Sequence, residues 1–264
     1  MAYLTGIIEY LGSFKSIRNY RVAHDKRILA GEKGGANGDL IKENAAFDLT
    51  RKNMSEFAGC GIAVKAIRIG LLQLIPEYTD THFTGRLVKL VKMINLRDET
   101  GERGKRAINF SLNRPILKTL VFNVRKKFDI QFRRCITHYH PESRTEATIM
   151  VNGLIPSPAL VPGNAQYYRI FNHLNVISDY AYNERNRRYE PLNQIDGMSA
   201  FAYSDYTPVN TQLTAALKAV FPEGTVLTEM DTVLQCVGIE YYIRSGADGY
   251  VPYASGSMIV EDVF

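Results

Sequence analysis

The chain has 264 residues, 45% hydrophobic and 22% charged, close to an ordinary globular composition. This argues against disorder over most of the chain, and no apolar run approaches the ~20 residues that a membrane helix needs. Basic residues outnumber acidic ones by 32 to 27, but unevenly: residues 1–145 hold 26 Lys and Arg against 14 Asp and Glu, and residues 146–264 hold 6 against 13. Such a split has three readings: a basic face for a polyanion, a head-to-tail contact between the basic half of one copy and the acidic half of the next, or two solvated faces.

The first thirty residues read as a strand meander. Gly6–Gly12 is short, β-prone and bounded by glycine, Gly12-Ser13 offers a turn, Ile17–Val22 alternates, and Arg27–Glu32 reads as a third strand. Met1–Leu11 lacks a basic start and Glu9 interrupts its apolar stretch, so no signal peptide is expected. Synthesis in the cytoplasm is expected, with release as part of a particle left open. Gly31–Gly38 reads as a loop. From Asn44 to Leu74 there is no proline, and Phe47, Phe57, Val64, Ile67 and Leu71 recur at helical spacing. Gly59 and Gly61 within it predict a bend or a close helix crossing. A second helix is capped by Asp80 or Thr81 and carries the stripe Phe83, Leu87, Leu90, Val91 and Ile94. Arg97–Arg106 is almost all charge and glycine and reads as an exposed loop.

Beyond residue 120 the period changes. Phe128–Arg134, Glu146–Val151, Tyr167–Leu174, Ser199–Tyr206, Thr232–Tyr242 and Ser257–Val263 read as strands between proline and glycine turns, with Leu213–Val220 as a short helix. The fold class expected is α+β: an N-terminal strand meander plus helical segment, followed by a C-terminal antiparallel β-sandwich. Two domains are expected, 1–120 and 121–264.

Motifs for chemistry are sparse. Gly101-Glu102-Arg103-Gly104-Lys105-Arg106 fails the P-loop spacing, and Arg106 stands where a magnesium-binding hydroxyl is needed. Cys60, Cys135 and Cys236 are far apart and odd in number, which fits core residues better than disulfides or zinc ligands. His138, His140 and Glu142 share a strand face and are weighed as a metal site against surface histidines, which are preferred. Asp179, Glu184, Glu190 and Asp196 alternate with arginines and read as a solvated loop rather than as catalytic acids. No cofactor and no enzymatic activity are expected.

Several segments carry a resemblance. Gly6-Ile7-Ile8 to Gly12, Arg27–Gly35, Phe47–Phe57 (FDLTRKNMSEF), Gly85-Arg86-Leu87, Glu102-Arg103-Gly104 and Val237–Tyr242 (VGIEYY), with the hydrophobic C-terminal tail, resemble a group of uncharacterised proteins from Bacteroidetes genomes. Ser13-Phe14-Lys15-Ser16 departs from the Gly-Asn type of turn common there. The resemblance implies a bacterial, non-enzymatic protein and carries no catalytic residues to map.

The preferred reading is a structural subunit of a filament, tube or capsid-like particle, a homo-oligomer or polymer. Its expected contacts are the terminal strands: Ile7 and Ile8, and Met258, Ile259, Val260, Val263 and Phe264. The first alternative is a nucleic-acid-binding or packaging protein using Arg86, Lys89, Lys92, Arg103, Lys105, Arg106, Arg125, Lys126 and Lys127. The second is a carbohydrate-binding module or enzyme of unknown type, in which tyrosines such as Tyr203 and Tyr206 stack on sugars.

Overall fold

The computed structural model describes residues 2–4, 9–21, 27–126, 128, 130–246 and 249–264. The chain divides into two compact units, 1–51 and 52–264.

The smaller unit is built on four antiparallel strands: β1 (Ala2–Tyr3), β2 (Gly12–Phe14), β3 (Ile17–Tyr20) and β4 (Leu29–Glu32), in the order β1-β4-β3-β2. A short helix α1 (Gly38–Glu43) follows, started by Asn37, whose side chain accepts the Leu40 N–H at 2.7 Å. A 3-10 turn spans Ala45–Phe47. The expected turn at Gly12-Ser13 is displaced. Those residues belong to β2, and the hairpin closes over Lys15 and Ser16, with Lys15 in the left-handed region at φ 52°. Lysine tolerates that conformation less well than glycine. Ile7, Ile8 and Val22 lie outside the described residues.

The helical part comprises α2 (Asp48–Gly70), α3 (Ile75–Tyr78), α4 (Phe83–Asn95), α5 (Arg114–Leu117) and α6 (Ile130–Arg134). The stripe expected on α4 is buried at every position, from Phe83 to Ile94. The strands are β5 (Ile136–Tyr139), β6 (Glu146–Leu154), β7 (Tyr167–Ser178), β8 (Tyr180–Asn183), β9 (Arg188–Pro191), β10 (Ser199–Tyr203), β11 (Thr207–Pro208), β12 (Leu213–Val220), β13 (Asp231–Ser245) and β14 (Gly249–Val263). They form a sheet β10-β7-β13-β14 with β11 added to β7, a sheet β12-β6-β5, and the hairpin β8-β9, all antiparallel.

The strand period explains why β7 and β13 are buried almost throughout. Phe171 and Ile177 of β7, with Leu234 and Cys236 of β13, share a core with Val64 and Ile67 of α2 and Leu87 and Val91 of α4. Tyr168 and Ile170, with Val237 and Ile239, share a second core with Ile149 and Val151 of β6 and Leu217 of β12. Alternate side chains thus enter different cores, and both faces of the two strands are covered except at the end that carries Tyr167, Arg169, Arg244 and Ser245. The fold is α+β. The division at 51/52 replaces the boundary set near 120 from the sequence, because α2 and α4 share one core with β7, β13 and β14.

Two elements differ from expectation. Phe128–Arg134 is not a strand: residues 130–134 are helix α6. Residues four apart share a face in either geometry, and Phe128 and Phe132 are both buried, ring centroids 5.3 Å apart. Leu213–Val220 is not a helix but strand β12. Its alanines favour helix locally, yet pairing with β6 prevails, and Leu213, Leu217 and Ala219 point inward while Thr214, Lys218 and Val220 are exposed.

Candidate functional site

The basic residues expected to form one polyanion-binding face are largely committed to internal partners. Arg86 pairs with Asp80 at 3.0 Å and donates to the Val121 and Phe122 carbonyls. Lys92 and Arg106 both reach Glu56, at 2.5 and 3.2 Å, although Glu56 is buried. Burial alone would raise the Glu56 carboxyl, but hydrogen bonds from Lys92 and the Gly104 N–H, with the charges of Lys92 and Arg106, hold it below the usual carboxylate range. Arg103 donates to Asn53, and Lys105 pairs with Glu184. Lys89, Arg125 and Lys126 are exposed. Lys127 lies outside the described residues.

The segment Arg97–Arg106 is accordingly not a free loop. Asp98 is buried and accepts from the Thr100 hydroxyl and from the Thr100, Gly101 and Ala107 N–H groups. Glu56 holds its far end.

The C-terminal residues expected to serve assembly are spent in the chain's own core. Met258 and Val260 belong to the core of α2 and α4, Val263 packs against it, Ile259 packs against the other core, and Phe264 is buried beside Leu174 and Val176. His140 stacks on the Phe264 ring, centroids 3.7 Å apart and 6° from parallel. His138 donates to Glu261 at 3.2 Å. The basic and acidic halves also meet within one chain, through Lys105–Glu184 and, at 3.1 Å, Lys118–Asp262.

The N-terminal sheet is different. Among its unit's described side chains only Asn19, Ile28 and Leu29 are buried. The cross-strand pair Phe14 and Ile17 is 62% and 45% exposed, and Tyr3 is 48% exposed. Among the described strands β2 is an edge strand, with β3 on one side only.

The acidic residues 179–196 are not a solvated loop as a group. Asp179 is buried and accepts from the Ser111 N–H and hydroxyl at 2.9 and 2.5 Å. Asp196 accepts from the Tyr180 hydroxyl and from the Ser178 N–H. Burial pushes both carboxyls up. Both brace the turns around β8 and β9. Glu190 stays near the surface, brought down to about 2, first by Arg188 and then by Asn186 and Asn183.

Of the tyrosines singled out in the sequence, Tyr203 and Tyr206 converge with Tyr242 on Arg169. Its guanidinium lies 4.0 Å from the Tyr203 ring centroid and 5.2–5.3 Å from those of Tyr242 and Tyr206, while its Nε donates to Glu240 at 2.5 Å. Tyr242 donates to the same carboxylate oxygen at 2.6 Å. Beside this cluster is a cavity of about 320 Å³ lined by Glu77, Tyr78, Glu240, Tyr242, Pro252 and Tyr253, among others. Gly163 lets Tyr253 reach its place: it has φ 38°, and a Cβ there would lie 2.7 Å from the Tyr253 hydroxyl. The sequence marked Tyr203 and Tyr206, but not Glu77 or Glu240, because α3, β13 and β14 bring together residues far apart in the chain.

No family model, no curated protein and no solved structure matches the chain.

Proposed function

We propose that the protein is a self-associating structural subunit and that its contact is the N-terminal sheet. The observation that carries this reading is the imbalance of residues 1–51: three buried side chains among those described, against an exposed Tyr3, Phe14 and Ile17. A unit of that size has little core with which to offset its chain entropy. The same deficit recurs in every copy, so pairing two β2 edges covers both at once, in a two-fold contact of like with like. An open strand edge beside exposed apolar side chains favours strand addition. Met258, Val260 and Phe264 are buried in the chain's own cores, and Lys105–Glu184 and Lys118–Asp262 join the two halves near the surface of one chain, so neither the C-terminal strand nor the charge split is needed for this contact.

The facing cores of β7 and β13 with β6 and β12 support reading those two sheets as a β-sandwich, the expected C-terminal architecture. Amide exchange tests the contact: the β2 amides gain protection as protein concentration rises, and concentration-independent exchange there would contradict it.

A second reading, polyanion binding, is favoured by Arg125, Arg133 and Arg134, which are exposed near one another in sequence and carry no ion pair among the described residues. Fluorescence anisotropy with single-stranded DNA decides it, through a steep loss of affinity with salt.

A further inference from the structure

The cavity beside α3, β13 and β14 has a wall chemistry that selects one ligand class. Its volume, about 320 Å³, is in the range of small-molecule sites. Tyr78, Tyr242, Tyr253 and Pro252 supply aromatic and apolar wall, and Glu77 and Glu240 supply carboxylates. Among the described lining residues there is no Lys or Arg. Ionised carboxylates only accept hydrogen bonds. The hydroxyls of Tyr78 and Tyr242 already donate, to the Ile239 carbonyl and to Glu240. Burial, together with Glu240, pushes both phenols up, so they stay neutral. Most of the polar wall therefore accepts. The carboxylates repel an anion and favour a ligand that brings hydrogen-bond donors and positive charge.

The adjoining residues show the chemistry at work within the chain. The Arg169 guanidinium is held by Glu240 and enclosed by Tyr203, Tyr206 and Tyr242. Arg169 offsets the charge of Glu240. Glu77 forms no ion pair among the described residues and leaves the cavity with a net negative charge. We propose that this cavity binds an organic cation, a guanidinium or alkylammonium group, against the Glu77 carboxylate and the Tyr253 ring, Glu240 and the rings of Tyr203, Tyr206 and Tyr242 being already engaged by Arg169. The cation arrives either on a free small molecule or on a Lys or Arg side chain of another copy.

Calorimetric titration of the full chain with agmatine tests this, with Glu77→Gln and Tyr253→Leu as variants. Glu77 is exposed and Tyr253 is 40% exposed, so neither substitution threatens the fold. The expected result is saturable one-to-one binding, weakened at least tenfold by Glu77→Gln and weakened by Tyr253→Leu, with no binding of maltotriose or citrate. Absence of saturable agmatine binding, equal binding by both variants, or preference for maltotriose would overturn the proposal. Light scattering at saturating agmatine separates the sources. A falling mass shows that the group comes from a neighbouring copy, and an unchanged mass with binding shows a free ligand. A chain that binds agmatine as a monomer keeps this site while losing the assembly reading, so the two proposals fail separately.

Discussion

The Nε2–H of His173 donates to the carbonyl of Gly70 at 2.9 Å, tying the middle of β7 to the last turn of α2. Asn175 does the same for the Ile67 carbonyl at 3.2 Å. Carbonyls at a helix C-terminus lack partners within the helix, and the sheet supplies one to Gly70, whereas the Ile67 carbonyl also accepts from the Leu71 N–H at 3.2 Å. A carbonyl only accepts, so Nε2 carries the proton and Nδ1 is left buried without a partner. Burial brings the imidazole down to about 4.

That shift makes stability pH-dependent. The folded pKa lies below the ordinary 6.5, so the native state binds fewer protons. The contribution of His173 is complete above 6.5 and is lost as pH falls towards 4, at most on the order of 3 kcal/mol. Asp179 and Asp196, raised by burial, act in the opposite sense, gaining stability as pH falls. Urea unfolding of the wild type and of His173→Leu isolates the histidine. The variant is less stable at pH 7 by ~1–3 kcal/mol and its stability declines less between pH 6.5 and 4.

Gly59 and Gly61 differ sharply in their surroundings. α2 runs unbroken through both, so neither the bend nor the helix crossing expected there occurs among the described residues, and it is the ring of Tyr189 from β9 that packs against Gly59. A Cβ on Gly59 would fall within that ring, whereas Gly61 has open space. Gly59→Ala is expected to destabilise by ~1–3 kcal/mol despite its helix propensity. Gly61→Ala is expected to stabilise by up to ~1 kcal/mol. Thermal unfolding of both variants checks the contrast.

Glu56→Gln removes the charge shared by Lys92 and Arg106. Breaking a buried pair from one side costs ~3–5 kcal/mol, here lessened because Lys92 and Arg106 are partly exposed. The same change frees the segment around Gly104, so trypsin is expected to cleave at Arg103 and Lys105 faster than in the wild type.

Removing residues 258–264 deletes Met258, Val260 and Phe264 from two cores. The expected outcome is loss of cooperative unfolding by circular dichroism. A cooperative transition in the truncated chain would mean that β14 is an accessory strand.

The legible parts of the fold were those with one dominant local signal. The α4 stripe, β6, β7 and β13 follow from periodicity and turn residues. The swapped assignments at 130–134 and 213–220 arose where spacing fits both periods or where alanine propensity opposed sheet pairing. The pinning of residues 97–106 was hidden because Glu56 lies far back in sequence and nothing local marks it as their partner. The candidate sites were legible in part. The tyrosines were marked and their grouping around Arg169 was not, and the C-terminal strand was found but its burial was missed. β14 lies at the edge of its sheet among the described strands, yet Met258 and Val260 pack into the core, and alternation alone does not show whether the apolar face of an edge strand is covered.

The most direct test of self-association through the N-terminal sheet is the solution mass of the full chain, by light scattering, beside that of the double variant Phe14→Asp, Ile17→Asp. Both side chains are exposed, so the variant keeps the folded core of residues 52–264. The expected wild-type mass is at least twice 29.8 kDa, falling to 29.8 kDa in the variant. A wild type that stays at 29.8 kDa at every concentration, or a variant that keeps the wild-type mass, would contradict it.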